Sequence, residues 1–290
     1  MESGPWTVLK LLNWTKDFLD KAGVESPRLC AEILLAHALG CKRIELYTRF
    51  DYQPTAPQLA AYRAMVQRAR NNEPVAYLVG EKEFYSLKFT ITPGVLIPRA
   101  ETEILVTEAL AHLKSLGRPS RVWDCCTGSG CVGIAIAHQA KDAQVLATDI
   151  SADALTVAQQ NAQSLGVADR LRVRQADLLT IPDDCQDLAP FDVITANPPY
   201  IAVGQEVAPT VKHEPAQALY AGNDGLDCIR PIIAQAAALL AENGILAMEF
   251  GYGQADAVRD LIVASGNYAE PRILTDHQGI ERSAVARKRA

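Results

Sequence analysis

The sequence predicts a doubly wound α/β fold, with a mostly parallel sheet preceded by a small helical bundle. Three observations carry this. Short apolar runs of strand composition alternate with helical periodicity through the last two thirds of the chain, the order that gives a parallel sheet with helices on both faces. Four of these runs end in polar residues, Asp124, Asp149, Asp177 and Asn197, and such sheets bind ligands at the carboxyl ends of their strands. Before about Asn72 only helical spacing is visible.

In the amino-terminal part, Trp6 to Lys21, Pro27 to Leu39 and Pro57 to Arg70 read as helices. Leu9, Leu12, Phe18 and Leu19 form the first apolar stripe, and Cys30, Ile33, Leu34 and Leu35 with His37 the second. Ser26 ahead of Pro27 is the expected N-cap, and Gly23 and Gly40 the expected terminators. Residues 1–72 are therefore expected to form a helical domain. Residues 73–95 are expected to form a linker carrying a hairpin in Glu83 to Thr92, and residues 96–290 the main domain.

Within the main domain, Arg121 to Cys126 reads as a buried strand, broken by Thr127-Gly128-Ser129-Gly130 before a helix from Cys131 to Ala137. Gln144 to Asp149, Leu171 to Ala176 and Phe191 to Ala196 follow as strands. A helix at Leu226 to Ala241 leads to a strand at Gly244 to Phe250, and Ser283 to Arg287 is expected to close the sheet.

Composition narrows the class. With 290 residues the chain exceeds one average domain. No apolar run approaches the ~20 residues that cross a bilayer, and the N-terminus with Glu2, Lys10 and Asp17 lacks the order of a signal peptide. A soluble cytoplasmic protein is expected. Seven cysteines are an odd count in such a chain, so free thiols are the default. Cys125, Cys126 and Cys131 lack C-x-x-C spacing and read as small packing residues rather than a metal site, with Cys131 open to thiolate character at a helix start.

Two motifs carry the chemistry. In Asn197-Pro198-Pro199-Tyr200, the Asn carboxamide oxygen and the Pro198 carbonyl are two acceptors that can meet the two hydrogens of a planar NH2 group, and Tyr200 offers a flat ring beside it. The competing reading is an Asn-initiated turn with prolines ending a strand. Upstream, the glycine turn after Asp124 lets the backbone approach a ligand, and Asp149 lies 19 positions beyond Gly130, close to the offset of ~20 at which an acid meets a ribose diol. Dinucleotide binding is excluded, because Asp124 to Gly130 does not fit G-x-G-x-x-G and no second nucleotide-binding half follows.

These features resemble the class I methyltransferases, whose first strand ends in an acid and a glycine-rich turn. Cys126 stands where the first glycine of that turn is usual, so the backbone there is expected to keep negative φ, or Cys to be tolerated because it is small. Ile97-Pro98-Arg99-Ala100-Glu101-Thr102-Glu103 is similar to the I-P-R-P-E-T-E segment of the HemK/PrmC family, protein glutamine N5-methyltransferases, with Ala100 in place of a proline. Asp192 through Ile201, Glu214-Pro215 with Ala218-Leu219, and Gly222-Asn223-Asp224-Gly225-Leu226 resemble further blocks of that family, in family order.

The resemblance implies S-adenosylmethionine as cofactor. It implies Asp149 on the ribose, Gly128 and Gly130 in close approach within the Cys126-Thr127-Gly128-Ser129-Gly130 loop, Asp124 near the methionine amine, and Asp177 with Leu178 at the adenine. Asn197, Pro198 and Tyr200 are the implied catalytic residues, Asn197 also touching the cofactor, and Pro199 joins them in holding substrate. Glu101 and Glu214 are expected to be structural. The implied substrate is the glutamine of the Gly-Gly-Gln motif in class I peptide chain release factors, with the helical domain docking the factor. A sister group acts on a glutamine of a ribosomal protein.

The same tetrapeptide suits the exocyclic amine of a nucleobase, which makes a nucleic-acid methyltransferase the second class, and a noncatalytic cofactor binder the third. Charge weighs against duplex binding. The net charge of −6 divides into +2 through Gly80, with 10 basic and 8 acidic residues, and −8 beyond it, with 18 and 26. No Lys/Arg-rich run supplies the basic face that DNA binders present. An intact pair of acceptors aimed at an amine is of no use to a pure binder.

Overall fold

The computed structural model describes residues 5–289, so residues 1–4 and 290 of the expected domains lie outside the described residues. The chain divides into two units, residues 1–81 with 207–213, and residues 82–206 with 214–290.

In the first unit, α1 (Val8–Asp20) starts at Thr7, whose hydroxyl accepts from Lys10 N at 3.4 Å. Its buried stripe is Val8, Leu11, Leu12, Thr15 and Leu19, the i, i+3, i+4 spacing of one helical face. Leu9, expected on that stripe, is instead exposed, one residue and about 100° off it. Helix α2 (Pro27–Leu39) receives no side-chain cap from Ser26, which has φ +50°. Pro27, with its preset φ, opens that helix instead. Gly40 ends α2 in the left-handed conformation, as expected. The inner face of α2 is Ala31, Leu34 and Leu35 with a buried Glu32, while Cys30 and Ile33 are half-buried and His37 is exposed. Helix α3 (Ala56–Arg70) adds Tyr62 and Val66 to the core. The unit runs past the expected boundary at 72, because Leu78 of α4 (Val75–Val79) is part of the same core.

The hairpin of β1 (Glu81–Phe84) and β2 (Leu87–Thr90) belongs, from Lys82 onward, to the second unit. Its turn residues Tyr85 and Ser86 both have positive φ, the handedness that matches the twist of a two-residue hairpin. The main sheet comprises β3 (Ser120–Cys125), β4 (Ala143–Asp149), β5 (Leu171–Gln175), β6 (Phe191–Ala196), β7 (Leu240–Glu249), β8 (Arg272–Thr275) and β9 (Glu281–Arg287). Among the described residues its order is β5-β4-β3-β6-β7-β9-β8, parallel from β5 through β7. Strand β9 runs antiparallel to both neighbours. Ser283 to Arg287 therefore does not close the sheet. That edge belongs to β8, four residues long and largely unburied, which has too little apolar pattern to be seen in the sequence.

Helices α5 (Glu103–Leu116), α6 (Cys131–Gln139), α7 (Ala152–Ser164), α8 (Ile229–Leu239) and α9 (Ala255–Ala264) complete the unit. Strand β6 is buried along its whole length, the continuous apolar reading of a strand covered on both faces. Trp123 is fully buried against Phe191, and its ring N–H donates to Thr148 Oγ1 at 2.8 Å. Chain order reverses at β3: β4 and β5 lie on one side and β6 on the other. A crevice at such a switch point opens at the strand carboxyl ends, here at Asp124 and Asn197. No described helix is long and apolar enough to cross a membrane.

Candidate active site

The tip of β3 is built around Asp124, which is buried. Its Oδ2 accepts from Thr127 Oγ1 and from Gly133 N at 2.9 Å, and its Oδ1 from Thr195 Oγ1 at 2.8 Å. Burial pushes the carboxyl up to about 6, against the opposing pull of these donors. Asp124 thus fastens the glycine loop to the start of α6. Gly130 has φ +81°, a backbone conformation that favours glycine, and a Cβ there would sit 2.7 Å from Ile134 Cδ1, so that side-chain end would have to shift.

Cys126 has φ +57°. The expected negative φ is overturned: the loop keeps the left-handed geometry of a glycine, and the Cys side chain is accommodated in it, its sulfur 3.8 Å from that of Cys125. Cys131 also departs from expectation. Burial raises its thiol to about 12 and outweighs the helix start, so it has no thiolate character.

Asp149, at the tip of β4, accepts from Gly128 N on Oδ2 and from Ser151 N on Oδ1, both at 2.9 Å. Burial raises its pKa although these backbone donors oppose the shift. Each oxygen retains a lone pair for a further donor. Beyond β5, Asp177 is exposed and Leu178 is held at φ +45°.

These groups surround one cavity of about 290 Å³, near the lower bound of roughly 300 Å³ for small-molecule sites. From the loop, Asp124, Cys126, Thr127, Gly128 and Ser129 line it. Asp149, Asp177, Leu178, Asn197 and Pro199 do so as well. Gly130, Pro198 and Tyr200 are not among the lining residues. Pro198 is buried behind the wall, and Tyr200, expected as an open ring platform, is half-buried with its hydroxyl donated to Glu249 Oε1 at 3.1 Å.

Asn197 follows the last residue of β6. Its Nδ2 donates to Thr102 Oγ1 at 3.2 Å. Its Oδ1 is buried and has no hydrogen-bond partner among the described residues. An unpaired buried acceptor costs about 1–3 kcal/mol, and a functional site is where such a cost is retained. The bland reading of Asn197 as a turn initiator does not account for that oxygen.

Two supports of this loop, Glu249 and Gln254, escaped the sequence reading, and a third, Gly225, stood in it only as part of the Gly222 to Leu226 block. Glu249, at the end of β7, is fully buried and accepts from Thr102 Oγ1 at 2.6 Å as well as from Tyr200. Gln254 donates to the Tyr200 carbonyl at 3.0 Å and to the Asp224 carbonyl at 3.2 Å, and accepts from Gly251 N at 2.7 Å. Gly225 makes room: a Cβ there would lie 2.2 Å from the Tyr200 carbonyl oxygen. An acid ending an apolar strand was the available signal for Glu249, the same one that marks Asp124 and Asp149. Glu214 accepts from Ile97 N at 3.1 Å and pairs with Arg99, which ties the Ile97 to Glu103 segment down and gives Glu214 a structural part.

The sheet order, with an antiparallel β9 inserted beside the edge, and a cavity opening at the switch point are those of the class I methyltransferase fold. Solved structures agree on the fold. The catalytic domain of hMettl16 in complex with MAT2A 3′UTR hairpin 1 is similar at a TM-score of 0.58, with 14% identity, covering 94% of this chain and 91% of that one. A methyltransferase from Pyrococcus furiosus is similar at a TM-score of 0.51, with 15% identity, covering 79% and 98%.

Sequence comparison narrows the class. Residues 10–80 match the PrmC N-terminal domain and residues 118–270 a methyltransferase domain, which implies an S-adenosylmethionine-type cofactor. The release factor glutamine methyltransferase of Rhodopirellula baltica is 44% identical over 284 residues, 96% of this chain and 95% of that protein. Those of Geobacter sulfurreducens and Moorella thermoacetica are 39% and 40% identical, over 96% and 93% of this chain and 95% of each relative. The chain belongs to the release factor glutamine methyltransferase family.

Proposed function

We infer that this chain transfers a methyl group from S-adenosylmethionine to the side-chain amide nitrogen of the glutamine in the Gly-Gly-Gln motif of class I peptide chain release factors. The observation that carries the reading is the unpartnered Asn197 Oδ1 on a residue that lines the same cavity as Asp124 and Asp149. The donor set fits the cofactor: a carboxylate with spare lone pairs suits a ribose diol, and a second suits an ammonium. In this reading Asp149 holds the ribose, Asp124 faces the amine, and Asp177 and Leu178 flank the adenine.

When bound, the sulfonium supplies a methyl group with its leaving group already attached. What remains for the protein is alignment and exclusion of water. A glutamine amide nitrogen is a weak nucleophile because its lone pair is shared with the carbonyl. In this reading Asn197 Oδ1 accepts one of its two hydrogens, which orients the nitrogen and favours electron density on it; the Pro198 carbonyl, expected to accept the other, belongs to a residue outside the cavity lining. The proton leaves after transfer, when the nitrogen has become acidic, so no strong general base is required. Pro199 adds to the wall, and Tyr200, through its hydroxyl, holds the loop in place.

Docking of the release factor falls to the helical unit, where Trp14, Ile44 and Tyr47 are exposed. Transfer to a nucleobase amine is the weaker reading, given the −8 charge beyond Gly80. The test is incubation with labelled cofactor and, separately, a release factor, its Gln→Ala variant and DNA. Label is expected on the intact factor only. Label on nucleic acid alone would transfer the assignment to the second class.

A further inference from the structure

We infer that Glu249 is a positioning residue whose carboxylate, acting through the Thr102 hydroxyl, fixes which way the Asn197 carboxamide faces. The inference rests on the reading of Asn197 as the amide acceptor and adds what keeps it in that role.

A threonine hydroxyl has one proton to give. Thr102 gives it to Glu249 Oε2 at 2.6 Å, so toward Asn197 its oxygen can only accept. The Asn197 group 3.2 Å away is therefore the Nδ2 donor, and Oδ1 is turned to the other side and left unpaired. Tyr200 gives its own proton to Glu249 Oε1 at 3.1 Å, so both oxygens of a single fully buried carboxylate are occupied by hydroxyls that belong to the site. One anchor on β7 thereby sets both ends of the Asn197 to Tyr200 loop. Any side chain of the right shape would serve for packing, but an acceptor with no proton to give, here the Glu249 carboxylate, removes the competing bond in which Thr102 donates to Asn197 Oδ1.

Protonation reverses the arrangement. A proton on Glu249 Oε2 is donated to Thr102 Oγ1, and the released Thr102 proton then favours a flipped Asn197 with Oδ1 toward Thr102. The flipped residue presents NH2 to the NH2 of the substrate, donor against donor. Burial pushes Glu249 up to about 7. The Thr102 and Tyr200 hydroxyls oppose that shift, Glu101 from the turn before α5 adds to it, and Arg282 from β9 reduces it. Cys131 of α6 also feels the Glu249 charge. Both protonation states are thus within reach near neutral pH.

The test uses the full chain with labelled S-adenosylmethionine and an intact release factor. Thr102→Ser keeps the hydroxyl and loses a methyl group; Thr102→Val keeps the shape and loses the hydroxyl. The expected result is turnover within about threefold of the parent for Thr102→Ser, and a kcat at least about tenfold lower for Thr102→Val with cofactor KM little changed. A purely packing role predicts the opposite order, and Val equal to or better than Ser would overturn the inference. In the parent, kcat is expected to fall as pH drops through about 7. Glu249→Gln, which cannot titrate, is expected to lack that fall, and its persistence unchanged would also overturn the inference. Should Glu249→Gln fail to fold, the Thr102 pair decides alone. An active Asn197→Ala would remove the underlying reading, whereas an inactive Asn197→Ala beside a fully active Thr102→Val would remove only the relay.

Discussion

Thr195 and Asp124 face each other across the parallel pair β3 and β6, and the Thr195 hydroxyl donates to Asp124 Oδ1 at 2.8 Å. The bond joins the two strands that flank the switch point just below their tips. It also supplies one of the donors that restrain Asp124, which burial raises to about 6. Thr195→Val removes that donor without changing shape, so the Asp124 pKa should rise further. If the carboxylate faces the cofactor amine, the loss of affinity on acidification should then begin at higher pH. Calorimetric titration from pH 5 to 8 checks this, and coincident acid limbs in parent and variant would exclude it.

Asn197→Ala should leave cofactor affinity within a few fold and lower kcat by about 10²-fold or more, the loss seen when a single hydrogen-bonding group aimed at the reacting centre is removed. Cofactor binding and single-turnover methylation separate the two effects. Unchanged turnover would take Asn197 out of the chemistry.

Asp149→Ala should do the reverse, weakening cofactor binding by about 1–3 kcal/mol for the loss of hydrogen bonds to a charged group. It also strands the Gly128 and Ser151 amides that Asp149 now accepts. Asp149→Asn retains an acceptor and should fall between the two. Affinities that rank Ala above Asn would count against a ribose contact.

Glu249 gives stability an unusual pH dependence. Its folded pKa, about 7, is raised from an ordinary 4.5, so the folded chain holds that proton more tightly than the unfolded one. Its contribution is fully present below the unfolded value and is lost as pH rises toward 7. Glu249→Gln does not pay this penalty, so the Tm of the variant minus that of the parent should grow between pH 5 and pH 8. A flat difference would mean that Glu249 does not titrate in this window.

The sequence showed the strand tips and hid what stands behind them. Asp124, Asp149 and Asn197 were legible because each ends a continuous apolar run, and strand length and chain breaks are local properties. Glu249 ends such a run too, but its meaning depends on Thr102, 147 positions earlier, and no local pattern announces that meeting. Thr102 was itself in view, inside the Ile97 to Glu103 segment, without any sign of where its hydroxyl points. Leu9 was misplaced because a four-residue stripe can be drawn through several helical faces when apolar residues are dense. The left-handed Cys126 was missed because residue type is only a statistical guide to φ, and Asp124, Thr127 and Asp149 hold the loop whichever side chain it carries.

Gln254 uses every hydrogen-bonding capacity that its amide directs at the loop: two donors on two carbonyls and one acceptor on an amide nitrogen. Few side chains could replace it. Glutamate would set negative oxygens against the carbonyls of Tyr200 and Asp224, asparagine is a methylene too short, and methionine or lysine lacks one half of the pattern. The backbone course leaving the tetrapeptide is thereby written into a single amide that touches no reactant, so drift at that position is restricted by geometry alone.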